Sequence, residues 1–153
     1  MQELDEMHNV LNDYNKFQLT EYRYQDYMAG QKAPSDVAAI AVKMGYKTIN
    51  LNRGSVTYGM KQTQQSWKNI AETINKNSSI ILQLPLADDT YGIYKFAAEK
   101  ADKNIKIIGI VHDINIIRGN PSDYDYRQYE ILKNIPDILI AHNNKMKKLL
   151  CDR

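Results

Sequence analysis

Apolar and polar residues follow one another along this chain in two alternating periods, one typical of strands and one typical of helices. Five short apolar or alternating runs predict strands, and the longer segments between them carry apolar residues three or four positions apart. The predicted strands cover residues 17–23, 47–51, 79–84, 105–111 and 137–141. The predicted helices cover about 34–44, 60–76, 88–103, 122–133 and 143–150.

Glycine and proline mark the ends of several of these elements, and the apolar spacing predicts which helical positions face inward. Gly45 follows the first helix as a C-cap residue, and Pro85 stops the third strand. The inward positions predicted for the first three helices are Val37, Ile40, Ala41 and Met44, then Trp67, Ile70, Ala71 and Ile74, then Tyr91, Tyr94, Ala98 and Ala101.

The alternation of five strands with helices predicts an α/β domain with three layers (αβα), in which helices cover both faces of a five-stranded parallel sheet. The expected arrangement is Rossmann-like with strand order 3-2-1-4-5, so the chain would switch direction between strands one and four. The loops after those two strands, residues 24–33 and 112–121, are therefore predicted to line one cleft.

Composition narrows the class of protein without indicating a function. The 153 residues are about the length of one domain, and a net charge of +2 gives no reason to expect nucleic-acid binding. Cys151 is the single cysteine, so no internal disulfide is expected and a reducing compartment fits. The chain has no apolar run of the ~20 residues that a membrane span needs. The first residues are acidic rather than signal-like, so a cytoplasmic location is expected.

The first 15 residues are predicted to be a separate amphipathic extension, because Leu4, Met7 and Leu11 share one helical stripe. Such a segment could cap the domain, pack on a partner or extend from it. The domain proper is expected to span 16–153.

A His-Asp pair follows the apolar run of the fourth predicted strand. In open α/β sheets ligands bind beyond the carboxyl ends of the strands, which is where His112 and Asp113 are expected. A histidine can act as a general base near neutral pH, and a carboxylate can do the same or orient it. The alternative is structural: Asp113 would cap the loop and His112 would pack on the rim of the sheet. Metal binding is not expected, because the pattern lacks further converging ligands.

Other polar residues have both a chemical and a structural interpretation. The Asp-x-Asp pattern of Asp123 and Asp125 is one by which some enzymes hold a metal-bound sugar diphosphate, but acidic residues in a first helical turn are favoured there by the helix dipole. Lys32 and Arg118 could bind a phosphate or carboxylate, or be solvated charges. Asn143 is first an N-cap and second a ligand contact. The glycine fingerprints of dehydrogenases and P-loop NTPases are absent, which argues against both classes.

Three segments, residues 32–46, 110–118 and 135–149, together resemble the amino-terminal domain of bacterial galactofuranosyltransferase-like and glucosyltransferase-three-type enzymes. Those enzymes have the GT-B architecture, in which two Rossmann-like domains face each other across a cleft. The resemblance covers about residue 17 to the end, and it places the donor-binding carboxyl-terminal domain outside this sequence.

The resemblance implies transfer of galactofuranose or another hexose from a UDP-sugar to a bacterial glycan or glycoprotein, with no cofactor or metal. Tyr24, Gln25 and Lys32 would line the acceptor site, while His112, Asp113 and Arg118 would face the donor. Asn143 is a further candidate contact. If the reaction inverts configuration, Asp113 or His112 would take the acceptor proton; if it retains configuration, the pair would orient the donor.

A non-enzymatic α/β interaction or regulatory module, docked through residues 1–15, is the alternative function. A membrane-bound acceptor would bring the protein to the inner membrane leaflet. The sequence leaves the oligomeric state undecided, and a homo-oligomer is one alternative.

Overall fold

The computed structural model of the chain describes residues 15–21, 32–51, 67–86, 90–117 and 119–151. The strands are β1 (Asn15–Glu21), β2 (Lys47–Leu51), β3 (Ser78–Leu84), β4 (Ile105–Val111) and β5 (Ile138–Ala141). The helices are α1 (Lys32–Lys43), α2 (residues 67–73), α3 (Thr90–Lys103), α4 (Asp123–Asn134) and α5 (Asn144–Cys151), with a short 3₁₀ turn, η1 (Asn115–Ile117), after β4. All five predicted strands are confirmed, and the bounds of β2 and β4 are those predicted.

All strand pairs are parallel, which confirms the α/β class, but the strand order is β2-β1-β3-β4-β5. The predicted order 3-2-1-4-5 is therefore wrong. The physical reason is burial: β3 is buried along almost its whole length and pairs on both sides, as a central strand must. In β2, Lys47, Thr48 and Asn50 are exposed, as suits an edge strand.

The corrected order moves the point at which the chain switches direction. The connection from β1 leads to one edge of the sheet and the connection from β3 leads to the other, so the switch point lies between β1 and β3. The first of the two predicted cleft loops, residues 24–33, lies mostly outside the described residues. The second follows β4 and so lies one strand further from the switch point than predicted.

Side chains on the two faces of the sheet form two separate apolar clusters. On one face Ile80, Leu82 and Ile107 pack with α2, α3 and α4. On the other face Ile81 and Ile108 form a smaller cluster with Ala41 and Tyr46. Helices thus cover both faces, and the predicted three layers are present.

Some inward positions predicted for the helices are wrong. In α1 only Ala41 is buried, whereas Ile40 and Met44 are 56% and 51% exposed. Small residues face the sheet here because α1 lies close to it: the buried Gln18 side chain donates a hydrogen bond to the Ala38 carbonyl, at 3.0 Å.

The prediction for α3 is wrong by a rotation of the helix. Tyr94, Ala98 and Ala101 are exposed, whereas Ile93 and Phe96 are almost fully buried. The two purely apolar side chains occupy the core, and Tyr94 stays 41% exposed. The side chain of Tyr91 lies outside the described residues. In α2 the predicted positions 67, 70 and 74 are buried and Ala71 is half-buried, as expected.

Candidate functional site

The carboxyl ends of β3, β4 and β5 meet at one edge of the sheet. Leu84 pairs with Val111, and Val111 pairs with Ala141, so the residues that follow β4 and β5 are His112 and His142. The His112 backbone N–H donates to the Leu84 carbonyl at 2.9 Å, which extends the β3–β4 ladder by one bond. This fixes the backbone of His112 relative to the sheet.

Three side chains at this edge form a continuous chain of hydrogen bonds that begins on α1. Gln83 Nε2 donates to the Pro34 carbonyl oxygen in the first turn of α1, at 3.0 Å. Gln83 Oε1 lies 2.7 Å from His112 Nε2, and His112 Nδ1 lies 3.2 Å from His142 Nε2. The two imidazole rings are 5.2 Å apart between centroids and inclined by 38°. We call this arrangement the Gln83–His112–His142 chain.

The chain has a direction, because its first acceptor is a carbonyl oxygen. Pro34 O can only accept, so the Gln83 amide must turn its Nε2 toward Pro34 and its oxygen toward His112. His112 Nε2 must then carry the proton that the amide oxygen accepts. In a neutral His112 the other nitrogen, Nδ1, is left as an acceptor, so His142 Nε2 must donate to it.

The electrostatics of the site favour the neutral form of His112. Burial lowers the pKa of His112 below its usual value, and the nearby His142 lowers it further. The hydrogen bond to Gln83 requires a proton on Nε2, and a neutral ring with that proton leaves Nδ1 to accept from His142. His142 is exposed, so the chain runs from a helix carbonyl through a half-buried ring to a ring at the surface.

Asp113 has a structural contact and lies beside a pocket. Its Oδ1 accepts the Ile114 backbone N–H at 2.8 Å, as the loop-capping interpretation expects. Asp113 also lines a small pocket between η1 and α4, with Asn115, Asp125 and Gln128 among its walls. A capping role and a role toward a ligand are both compatible with this position.

Both aspartates of the Asp-x-Asp pattern lie in the first turn of α4, as the structural interpretation of the pattern expects, and the second of them, Asp125, takes part in the helix cap. Ser122 is the N-cap of α4, and its backbone N–H and hydroxyl both donate to Asp125 Oδ2, at 2.8 and 2.6 Å. The Asp125 N–H in turn donates to Ser122 Oγ at 3.3 Å, which completes a capping box. These bonds, the side-chain bond from Ser122 first, hold the pKa of Asp125 below its usual value, and Asn115 contributes a further hydrogen bond.

The remaining predicted site residues differ in how well the structure places them. Lys32 begins α1, two residues before Pro34; its side chain is 85% exposed and lies 3.9 Å from Asp36. Asn143 is the cap of α5, since its Oδ1 accepts the Met146 N–H at 2.9 Å. The predicted contacts Tyr24, Gln25 and Arg118 lie outside the described residues. The structure therefore links His112 to Gln83 and His142, and through Gln83 to α1. It does not test the other predicted residues as ligand contacts.

Two residues of the site, Gln83 and His142, were not among the site residues predicted from the sequence, although His142 follows the fifth predicted strand at the same edge of the sheet. Their signal is positional: each histidine comes directly after the last residue of a strand, and the two strands are neighbours. Gln83 is a polar residue one position before the end of β3, directly after the apolar run of residues 80–82. Because carboxyl ends of parallel strands meet at one edge, these three positions could have been grouped.

Among the described residues, no helix has both the length and the apolar character that crossing a bilayer requires.

Comparison with known proteins bears on the family of the chain. A search of curated proteins finds no match to the chain. Residues 16–153 match the family model described as the amino-terminal domain of glucosyltransferase 3-like proteins, and the chain belongs to that family.

Proposed function

We propose that this domain is the acceptor side of a GT-B glycosyltransferase. It would serve transfer of galactofuranose or another hexose from a UDP-sugar to a hydroxyl group of a bacterial glycan or glycoprotein. Membership in the glucosyltransferase 3-like family supports transferase chemistry at the coarser level. The donor, the acceptor and the second domain of the GT-B architecture are parts of the proposal.

The observation that carries the proposal is the oriented chain of hydrogen bonds at the carboxyl edge of the sheet. Sugar transfer to a hydroxyl needs groups that accept its hydrogen bond or its proton at a defined point. The Gln83–His112–His142 chain holds one imidazole neutral and presents a second at the surface. Side chains that are locked by hydrogen bonds to a helix and a strand are typical of a preorganised site.

The roles of the other residues follow from their positions. Asp113, adjacent to His112 and on the wall of the pocket, would accept hydrogen bonds from sugar hydroxyls or take part in the chemistry. Lys32 begins the helix whose Pro34 carbonyl reaches the site, and with Arg118 it would offset the charge of the diphosphate or of an acidic acceptor. Tyr24, Gln25 and Asn143 would complete the acceptor contacts. The UDP-sugar enters this proposal as a substrate, and no cofactor or metal is proposed.

Ligand-observed saturation-transfer NMR on this chain tests the proposal. A panel of glycans and glycopeptides is mixed with the protein, alone and with UDP-sugars added. We expect signals of at least one saccharide to respond, and to be lost in His112→Ala/Asp113→Ala while the amide spectrum still shows a folded protein.

Asp102→Ala is the matched control, because Asp102 is an exposed carboxylate near the end of α3, where the chain enters β4 at the opposite edge of the sheet. It should bind like the wild type. Response in the control and in the double variant alike would contradict the site. Silence of the wild type across the panel would contradict acceptor binding by this domain and would favour the interaction module.

A further inference from the structure

We propose that His142, through its Nδ1 atom, is the catalytic base of this site, and that His112 is a positioning residue behind it. The inference rests on the proposed function, and it assigns the proton-accepting atom within that site. It also commits the reaction to inversion at the anomeric carbon, because the base activates the acceptor for a single direct displacement of the nucleotide.

The hydrogen bonds exclude His112 as the residue that takes the proton of the acceptor hydroxyl. Its Nε2 proton is directed to Gln83 Oε1 at 2.7 Å, and its Nδ1 lone pair receives the N–H of His142 at 3.2 Å. A base needs a lone pair directed at the substrate, and neither nitrogen of His112 has one to spare.

His142 has the complementary arrangement. Its Nε2–H is held by His112, so in the neutral form of the ring Nδ1 is an unprotonated acceptor. No partner of that Nδ1 is found within the part of the chain that the structure describes, and the side chain is exposed. Imidazole is the side chain whose ordinary pKa best suits proton transfer near neutral pH.

The arrangement has the logic of a catalytic triad built from different residues. In such a triad a base is oriented by a hydrogen bond to its second nitrogen, and the orienting group is held in turn by the protein. Here His142 is the base, His112 orients it, and Gln83 with the Pro34 carbonyl fixes the tautomer of His112. His112 orients by accepting, so it must stay neutral.

The step balances without a further reactant. The acceptor oxygen forms a bond to the anomeric carbon as its O–H bond breaks, and the proton passes to His142 Nδ1. The bond between the anomeric carbon and the diphosphate oxygen breaks, and its electron pair leaves on the nucleotide. The resulting imidazolium keeps its Nε2–H bond to neutral His112 and later gives the proton to solvent.

The first test needs no activity. The chain has three histidines, so ¹⁵N-labelled imidazole signals can be assigned with single substitutions. We expect a through-hydrogen-bond coupling between His142 Nε2, carrying the proton, and His112 Nδ1. A protonated His112 Nδ1, or two rings without coupling, would overturn the proposed direction.

The second test measures transfer in the protein that joins this domain to its donor domain. His142→Gln can still donate an N–H toward His112 Nδ1, but an amide cannot take a proton. We expect kcat to fall at least ~100-fold with KM little changed. We also expect added imidazole to restore turnover to His142→Ala.

His112 is tested by a conservative pair of variants. His112→Asn places an amide oxygen near the position of Nδ1 and can still accept from His142, whereas His112→Ala cannot. We expect Asn to recover a large part of the kcat that Ala loses. Equal loss in both would show that His112 does not act as the acceptor that orients His142.

Failure of this inference is distinguishable from failure of the proposed function. Near-normal kcat in His142→Gln with a ~100-fold loss in Asp113→Asn would assign the base to Asp113 and leave the transferase proposal intact. A product with retained configuration would also overturn the base. A wild type that neither binds an acceptor nor transfers sugar would instead contradict the proposed function.

Discussion

Two polar clusters lie beyond the same edge of the sheet, and they differ in where their hydrogen bonds lead. In the first, the bonds run back and forth between Ser122 and Asp125 and close the first turn of α4. In the second, the Gln83–His112–His142 chain starts on a helix carbonyl and runs outward to an exposed ring. In the first set, which we call the closed cluster, the hydrogen bonds join groups of the same helix cap to one another. In the second set, which we call the open chain, the last ring is exposed and oriented, so it is available to a ligand.

This difference distinguishes residues that stabilise the fold from residues that are available for a reaction. From the sequence, both motifs have a chemical interpretation: His112-Asp113 follows a strand, and Asp123-Tyr-Asp125 matches a sugar-diphosphate pattern, although the helix dipole already explains the acidic residues of the second motif. The bonds show that Asp125 stabilises a helix terminus. If the distinction is correct, variants of the closed cluster should change stability, and variants of the open chain should change activity.

The largest effect is expected from a substitution in the hydrophobic core under the sheet edge that carries both clusters. Ile107 is fully buried in β4, so Ile107→Ala should lower the free energy of unfolding by about 2–5 kcal/mol. Chemical denaturation measures it. Ile40→Ala is the control, since that side chain is 56% exposed, and it should change stability by no more than about 0.5 kcal/mol. Similar losses in the two variants would contradict the assigned core.

A smaller loss is expected from overpacking the strand that carries His112. A Cβ at Gly109 would lie 2.8 Å from Leu139 Cδ2, 2.9 Å from Pro136 Cγ and 3.0 Å from Leu84 Cδ1. Gly109→Ala should therefore destabilise by about 1–3 kcal/mol. In an uncrowded strand alanine would instead stabilise by about 0.5–1 kcal/mol. The sign of the change in the free energy of unfolding, measured by chemical denaturation, tests the close packing around Gly109.

The closed cluster should give a pure stability effect. Ser122→Ala removes the N-cap oxygen of α4 and should cost about 1 kcal/mol in the free energy of unfolding. Ser122→Thr keeps a hydroxyl and should cost less. The imidazole NMR signals of the open chain should not change in either variant; a shift in them would mean that the two clusters are coupled.

The open chain should give a small, pH-dependent stability effect. Because the pKa of His112 is lowered in the folded protein, the unfolded chain binds this proton more readily. The free energy of unfolding should therefore fall as the pH drops below about 6.5, until the folded-state pKa of His112 is reached. Denaturation at several pH values should show a shallower fall in His112→Asn. An equal slope in variant and wild type would contradict the neutral state of His112.

The elements were largely predictable because local signals decide them. The apolar run of β4 and the helix-ending Gly45, with φ at +86°, need no long-range information. The strand order was not predictable in the same way, since it depends on which strands are buried on both sides. The continuous burial of β3 against the exposed positions of β2 is the feature that could have corrected it.

The site was half predictable for a related reason. His112 was found because it directly follows an apolar strand. His142 has the same relation to β5 but follows a shorter, less buried strand and also precedes a helix cap, so its link to His112 was missed. The tautomers depend on the Pro34 carbonyl, 49 residues from Gln83, and no local pattern encodes that contact.

The most direct measurement compares transfer rates of His142→Gln and Ser122→Ala, side by side, in a protein that joins this domain to the proposed donor domain. At a temperature where both variants are folded, we expect His142→Gln to lose at least ~100-fold in kcat with wild-type stability. Ser122→Ala should lose about 1 kcal/mol of stability with near-normal kcat. A normal rate in His142→Gln, or a comparable rate loss in both variants, would contradict the assignment of chemistry to the open chain.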